Sequence, residues 1–228
     1  MVANARVKFA WTPTPEQLGS ANLTRLARSL GCGGYAELHR LSVEEPERFW
    51  RAVAADLDLA FARPWDRVSD DARGIEWTTW FEGARLNVAH ACLHVWAERT
   101  PDAVAAVFRG EDGARREWTF AELSRETTRI AEALKERGVE AGDRVAVYMP
   151  MSPEAAAASF ACAHVGAVQV PIFSGFAGPA IVQRLQDSGA KAIVTADWSY
   201  RRGARIPMLE TVEEALRESP SVEHVLLW

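Results

Sequence analysis

The chain has 228 residues, of which 48% are hydrophobic, so it is long and apolar enough to bury a core, and a disordered chain is excluded. Its 26 basic and 31 acidic residues give a net charge of −5, which offers no positive field to a polyanion and argues against a dedicated nucleic-acid binder. Cys32, Cys92 and Cys162 are odd in number and far apart, which favours reduced thiols in a cytoplasmic protein. Since no apolar run approaches about 18 residues, no membrane partner is expected.

Residues 1–78 are rich in tryptophan and proline and differ from the rest of the chain. Ser20 is a candidate N-cap for an amphipathic helix that ends at Gly31. Ser42 and Glu45 form a capping-box pattern that predicts the start of another helix. We interpret this segment as one that wraps onto the following domain through its tryptophans.

The pattern becomes regular after residue 100. Two β-rich runs, 103–108 and 115–120, flank a glycine-bounded turn that carries Glu111 and Asp112. Two such runs around a short turn are typical of a β-hairpin.

A helix and a strand follow the predicted hairpin. Thr119 and Glu122 form a capping box, and the apolar helix face that follows stops at Gly138. The apolar run 144–150 predicts a strand. It is followed by Ser152, an N-cap candidate with a proline at the first helical position.

Strands and helices continue to alternate to the end of the sequence. The runs 167–173, 191–195 and 222–228 predict strands, and helices are expected over Pro179–Asp187 and from Thr211 onward. Alternation at this spacing indicates an α/β fold with a parallel sheet. The last apolar run has no cap or covering helix after it, so we expect the natural domain to continue.

The loops after the strands are the expected binding positions, because open parallel sheets bind ligands beyond the carboxyl ends of their strands. These loops follow Met149, Phe173 and Thr195. Gly175 and Gly178 lie in the second loop, where they would let a ligand approach backbone N–H groups. An ordinary strand-to-helix turn explains the same glycines.

The third loop is rich in arginine. Arg201, Arg202 and Arg205 surround Gly203, and guanidinium groups bind phosphate oxygens in a bidentate manner. The loop is therefore a candidate phosphate-binding site. A solvated basic loop is the alternative explanation.

Other chemistry-bearing residues have structural explanations. His90 and His94 have the spacing of two metal ligands on a helix, but neither a third ligand nor a glutamate between them completes a zinc-protease motif. Cys162 lies among alanines, as a packed thiol would, and Tyr148 and Phe173 are most simply core residues. No metal site is predicted.

Several longer stretches together resemble one family. Residues 80–93, 142–176 and 187–207 resemble, in order, segments of acetyl-CoA synthetase-like AMP-forming acyl-CoA synthetases. The opening, 11–31 and 35–50, is also similar to the entry segment of acetoacetyl-CoA synthetases. The resemblance implies an acid–thiol ligase that joins a carboxylic acid to CoA through an acyl adenylate, with ATP and Mg²⁺.

The resemblance implies a CoA-binding role for part of the second loop. An aromatic-Gly-Gly-Phe turn lies beside the pantetheine in the family, and Phe173, Gly175 and Phe176 match it. Ser174 replaces the first glycine, so close backbone approach there is not implied.

The arginine loop matches the Arg-x-Gly-Arg segment that contacts CoA phosphates in the family. Arg201 and Gly203 match its first and third positions, whereas Ala204 stands at the fourth and Arg205 comes one residue late. Arg201 is the expected main contact, and Arg205 pairs with either Arg201 or Arg202.

The resemblance covers only the beginning of such an enzyme: residues 1–78 as the entry segment and 79–228 as an incomplete part of the large stacked-sheet adenylation domain. The family's phosphate loop, its later motifs and its carboxy-terminal lysine have no counterpart, and Lys8, Lys135 and Lys191 lie in other contexts. No catalytic residue is therefore assigned, and the remaining synthetase chain is the expected partner. The alternative is a non-catalytic module that binds CoA or a partner protein.

Overall fold

The computed structural model describes residues 10–111 and 113–228, so Lys8 and Asp112 lie outside the described residues. The chain divides into two compact units, one ending at Arg85 and one beginning at Leu86. In the described part of the chain, no helix combines the length and the apolar character needed to cross a membrane.

The first unit consists of short helices and a two-stranded antiparallel sheet. Leu26, Ala27 and Leu38 form its buried core. Its second strand carries Trp80 and Phe81, and Trp80 meets the helical Trp50 edge to face with ring centroids 5.7 Å apart. The elements are α1 (Pro15–Ser20), α2 (Asn22–Ser29), α3 (Tyr35–Glu44), α4 (Pro46–Asp56), β1 (Arg67–Asp70) and β2 (Thr79–Glu82).

Two predicted helix starts in this unit are wrong. Ser20 is the last residue of α1, which begins earlier because Thr14 and Gln17 form a capping box, and Ala21 precedes α2. Ser42 lies inside α3, where its hydroxyl donates to the His39 carbonyl at 2.7 Å. A serine hydroxyl can bond back to the preceding turn as well as cap a helix, so the pattern alone does not fix the start.

The second unit is built on a four-stranded parallel sheet, which confirms the predicted α/β fold class. The strands are β3 (Val104–Arg109), β4 (Arg115–Thr119), β5 (Arg144–Tyr148), β6 (Val168–Ile172), β7 (Ala192–Thr195), β8 (Trp198–Arg201), β9 (Ala204–Pro207) and β10 (His224–Leu227). The order in the sheet is β10-β7-β5-β6, and two antiparallel hairpins, β3–β4 and β8–β9, accompany it. The helices are α5 (Val95–Arg99), α6 (Phe120–Glu136), α7 (Pro153–Val165), α8 (Gly178–Ser188) and α9 (Met208–Leu216).

The helix signals of the second unit are mostly confirmed. Thr119 and Glu122 cap α6 reciprocally, and the Ser152 hydroxyl accepts the Ala155 N–H at the start of α7. Thr211 is an exception, since α9 begins three residues earlier and the Thr211 hydroxyl donates to the Pro207 carbonyl at 2.8 Å. Thr211, like Ser42, lies inside a helix, and from the sequence alone such a residue looks the same as one that caps a helix start.

A pair of histidines lies between the helices of this unit. His94 Nε2 is 2.9 Å from His164 Nδ1, and His94 Nδ1 is 2.8 Å from the Ser124 hydroxyl. Burial, and secondarily neighbouring positive charge, lowers the pKa of both histidines below 6.5. The charged or titratable groups that face the pair are His90 and Glu98 around His94, and Lys135 and Glu132 around His164.

We expect this pair to make the fold sensitive to mild acid. The unfolded chain takes up protons near pH 6.5, whereas the folded pair resists protonation, so stability present above pH 6.5 is lost as the pH falls through the unfolded pKa toward the lowered folded pKa. Urea unfolding at pH 7.5 and 5.5 measures the loss. The free energy of unfolding should fall less between pH 7.5 and pH 5.5 in His164→Gln than in the wild type, whereas the exposed control His39→Gln should lose as much as the wild type. Equal losses in all three proteins would contradict this.

Candidate functional site

A cleft of about 530 Å³ lies at the carboxyl edge of the parallel sheet. Met149, Phe173 and Ala196, which follow β5, β6 and β7, all line it. The structure thus brings together the three loops that strand topology identifies as binding positions. The remaining walls come from the β3–β4 hairpin, the start of α7 and the β8–β9 hairpin.

Arg201 and Phe173 meet in this cleft, and Gly175 lies against both of them. The Arg201 guanidinium carbon is 5.3 Å from the centroid of the Phe173 ring. A Cβ on Gly175 would approach Phe173 Cε1 to 2.7 Å and would also collide with the Arg201 guanidinium. The absence of a side chain at Gly175 therefore allows the Arg201 guanidinium to pack on the Phe173 ring. Phe173 is 57% exposed, so its interpretation as a core residue is wrong: it forms a surface in the cleft.

Tyr148 stabilises the loop that carries Gly175. The buried hydroxyl of Tyr148 donates to the carbonyls of Ser174 and Phe176 at 3.4 and 3.3 Å. Burial raises the pKa of Tyr148, so the hydroxyl keeps the proton that it donates. Ser174, where the sequence departs from the expected glycine, thus contributes its carbonyl to the support of the loop.

The arginine loop forms the β8–β9 hairpin. Its two-residue turn, Arg202 and Gly203, has φ of +51° and +74°, as the turns that match strand twist require. Arg201 lines the cleft, Arg202 is exposed in the turn, and the Arg205 guanidinium carbon lies 4.2 Å from the Trp198 ring centroid. The three arginines therefore have three different environments.

The cleft is also lined by an ion pair that the sequence analysis missed. Arg116 donates to both carboxylate oxygens of Glu154, at 2.6 and 3.1 Å, and the Glu154 side chain is only 5% exposed. Burial alone would raise the pKa of Glu154, but hydrogen bonds from Arg116, from its own N–H and from Ser152 outweigh burial and lower it. A lone acid between Pro153 and a run of alanines is the signal that could have identified it.

The two arginines differ in how their charge is balanced. Glu154 neutralises Arg116, whereas Arg201 lies against an aromatic ring, which attracts a cation without neutralising it. A guanidinium in such a place can still donate to an oxyanion. The cleft thus offers an anionic ligand a cation and an aromatic surface.

The other candidates remain outside this cleft. Burial raises the pKa of Cys162 to about 12, so its thiol stays protonated, in keeping with a packing role. His94 is engaged by Ser124 and His164. Over residues 10–111 and 113–228, no group of three or more His, Cys, Asp or Glu side chains is arranged to hold a metal ion.

Comparison with known proteins identifies the family. The family model described as "AMP-binding enzyme" matches residues 93–227, and the model described as "Acetyl-coenzyme A synthetase N-terminus" matches residues 35–92. The two matches follow one another along the chain and meet between residues 92 and 93.

Individual relatives agree with the family models. Acetyl-coenzyme A synthetase of Deinococcus radiodurans is 40% identical over 90% of this chain and 30% of its own length. 3-Hydroxypropionyl-coenzyme A synthetase of Sulfurisphaera tokodaii is 36% identical over 93% of this chain and 32% of its own length.

A solved structure is also similar. Acetoacetyl-CoA synthetase from Streptomyces lividans superposes with a TM-score of 0.88 and 34% identity, over 95% of this chain and 34% of that one. The chain spans about a third of the length of each of these three proteins. On this evidence the chain belongs to the AMP-binding enzyme family and carries, at residues 35–92, a segment of the acetyl-coenzyme A synthetase N-terminus type.

Proposed function

We propose that this chain forms the amino-terminal, CoA-binding part of an AMP-forming acyl-CoA synthetase that activates acetate or another short-chain acid. Relatives named for acetate, 3-hydroxypropionate and acetoacetate match the same stretch, which supports a short acid. Within that enzyme, residues 1–78 serve as the entry segment and 79–228 as the first part of the adenylation domain. The unpaired state of its three cysteines supports a cytoplasmic location.

The proposed reaction has two steps. A carboxylate oxygen attacks the α-phosphorus of ATP, which is bound with Mg²⁺, and pyrophosphate leaves. The CoA thiolate then attacks the acyl carbon and AMP leaves. The residues of this chain act in the second step, where they hold CoA, and the groups that promote adenylation come from the remainder of the synthetase.

The cleft supports the following assignment for CoA. Arg201 donates hydrogen bonds to a nucleotide phosphate, with Arg202 in the adjoining turn that Gly203 completes. Arg205 reaches a phosphate from its place over Trp198. Phe173 gives the ligand an apolar face, and Gly175 leaves the space in which the Arg201 guanidinium packs beside that ring. The observation that carries this assignment is the packing of Arg201 on the exposed Phe173 ring at 5.3 Å.

Calorimetric titration of the 228-residue chain tests the assignment. We expect CoA and adenosine 3′,5′-bisphosphate to bind, because both carry nucleotide phosphates. Pantetheine, which carries none, should bind much more weakly. Binding of CoA should also weaken as salt is raised, since phosphate recognition by arginine is screened. Equal binding of CoA and pantetheine would show that the arginine turn is not a phosphate site.

A further inference from the structure

The arginine turn is contacted by a residue far away in the sequence. The Gly203 N–H donates to Glu111 Oε2 at 3.3 Å, across 92 positions of the chain. Glu111 lies in the turn of the β3–β4 hairpin, and both it and Arg201 line the cleft. A carboxylate is an unexpected neighbour for a site that binds phosphate, so its role needs an explanation.

The turn that Glu111 contacts has a backbone conformation that is unfavourable for a residue with a side chain. Arg202 has a φ of +51°, in the left-handed region that a residue with a Cβ rarely adopts. The Gly203 N–H takes no part in the β8–β9 ladder, which pairs Arg201 with Ala204. The Glu111 carboxylate gives that N–H an acceptor and stabilises the turn in the conformation from which Arg201 projects.

The hairpin that carries Glu111 is itself anchored. On β4 the bidentate pair between Arg116 and the buried Glu154 ties the hairpin to the start of α7. The Arg116 guanidinium also lies 5.1 Å from the Phe108 ring centroid of the neighbouring strand. Glu111 therefore lies on a hairpin that is anchored to the rest of the unit through Arg116.

We propose that Glu111 is a positioning residue of the CoA site, whose carboxylate fixes the Arg202–Gly203 turn and so directs Arg201 over Phe173. This inference rests on the proposed function. The alternative is that Glu111 competes with the ligand's phosphate. The structure favours positioning, because the carboxylate bonds the turn backbone whereas the Arg201 guanidinium packs on Phe173.

CoA titration of two Glu111 variants separates these roles. Glu111→Ala removes the acceptor and should weaken CoA binding about 3- to 10-fold, the size of one hydrogen bond. Glu111→Gln keeps an acceptor oxygen and should stay within about 2-fold of the wild type. The matched control is Glu117→Ala on the same hairpin, whose carboxylate pairs with Arg115, and it should not change binding. Unchanged or tighter binding in Glu111→Ala would overturn the proposal.

A double-variant cycle tests whether Glu111 acts through the arginine. In an Arg201→Ala background, Glu111→Ala should have little further effect on CoA binding, whereas a general structural role would add its full effect. Equal melting temperatures of wild type and Glu111→Ala would exclude loss of fold as the cause. If Arg201→Ala alone leaves CoA binding unchanged, the proposed CoA site fails; if it weakens binding and the two effects add, only the role of Glu111 fails.

Discussion

Replacing Arg201 with alanine should weaken CoA binding about 10- to 100-fold, because a charge-assisted hydrogen bond contributes about 1.5–3 kcal/mol. The side chain is the guanidinium that lines the cleft beside Phe173 and Gly175. Its loss removes both the hydrogen-bond donor to the phosphate and the cation over the Phe173 ring. Calorimetric titration with CoA measures the change.

Two further variants make this result specific. Arg201→Lys should recover only part of the affinity, since an ammonium keeps the charge but has neither the fork nor the flat face of a guanidinium. Arg115→Ala is the matched control: Arg115 lies on β4, pairs with Glu117 and does not line the cleft. A similar loss in Arg115→Ala would indicate a general effect of charge instead of a site at Arg201.

The second large effect is on stability. Ile193 is fully buried in β7, which lies between β10 and β5, and Ile193→Ala should lower the free energy of unfolding by about 2–5 kcal/mol. The loss combines removed apolar burial with the cavity left in a strand that is paired on both sides. Urea unfolding, followed by circular dichroism, measures it.

An edge-strand valine provides the control for this variant. Val168 begins β6, at the edge of the same sheet, and is 51% exposed. Val168→Ala should cost less than about 1 kcal/mol, because little apolar area is lost to water and no cavity forms. Equal costs at the two positions would mean that the sheet is not the stable centre of this unit.

Much of the fold could be predicted because its signals are local. The box of Thr119 and Glu122, the cap at Ser152 and the alternation of strand and helix each depend on neighbours within a few positions. Ser42 and Thr211 show the limit of such signals, because a hydroxyl inside a helix and one at its start look alike in the sequence.

The candidate site was predictable only in part. Topology and motif placed Phe173, Gly175 and Arg201 on loops at one edge of the sheet, and the structure brings them into contact. The contacts of Glu111 with Gly203 and of Arg116 with Glu154 join positions 92 and 38 apart. No local pattern encodes such contacts, because they depend on how the hairpins pack around the cleft.

The relatives also explain why the acid is assigned only as a class. Proteins named for acetate, 3-hydroxypropionate and acetoacetate match this same stretch at 34–40% identity. If the CoA-binding part is shared while the acids differ, the residues that select the acid lie mainly in the remainder of the synthetase. We therefore expect exchange of residues 86–228 between such enzymes to leave the choice of acid unchanged.

The most direct test of the account is an assay of the longest polypeptide that the gene encodes, with ATP, Mg²⁺, CoA and acetate, propionate or acetoacetate. We predict that AMP and the acyl-CoA form together, and only when acid and CoA are both present. We also predict that Arg201→Ala raises the KM for CoA while acid-dependent exchange of pyrophosphate into ATP continues. Failure of that polypeptide to form AMP with any of these acids would contradict the central claim that this chain is part of an AMP-forming acyl-CoA synthetase.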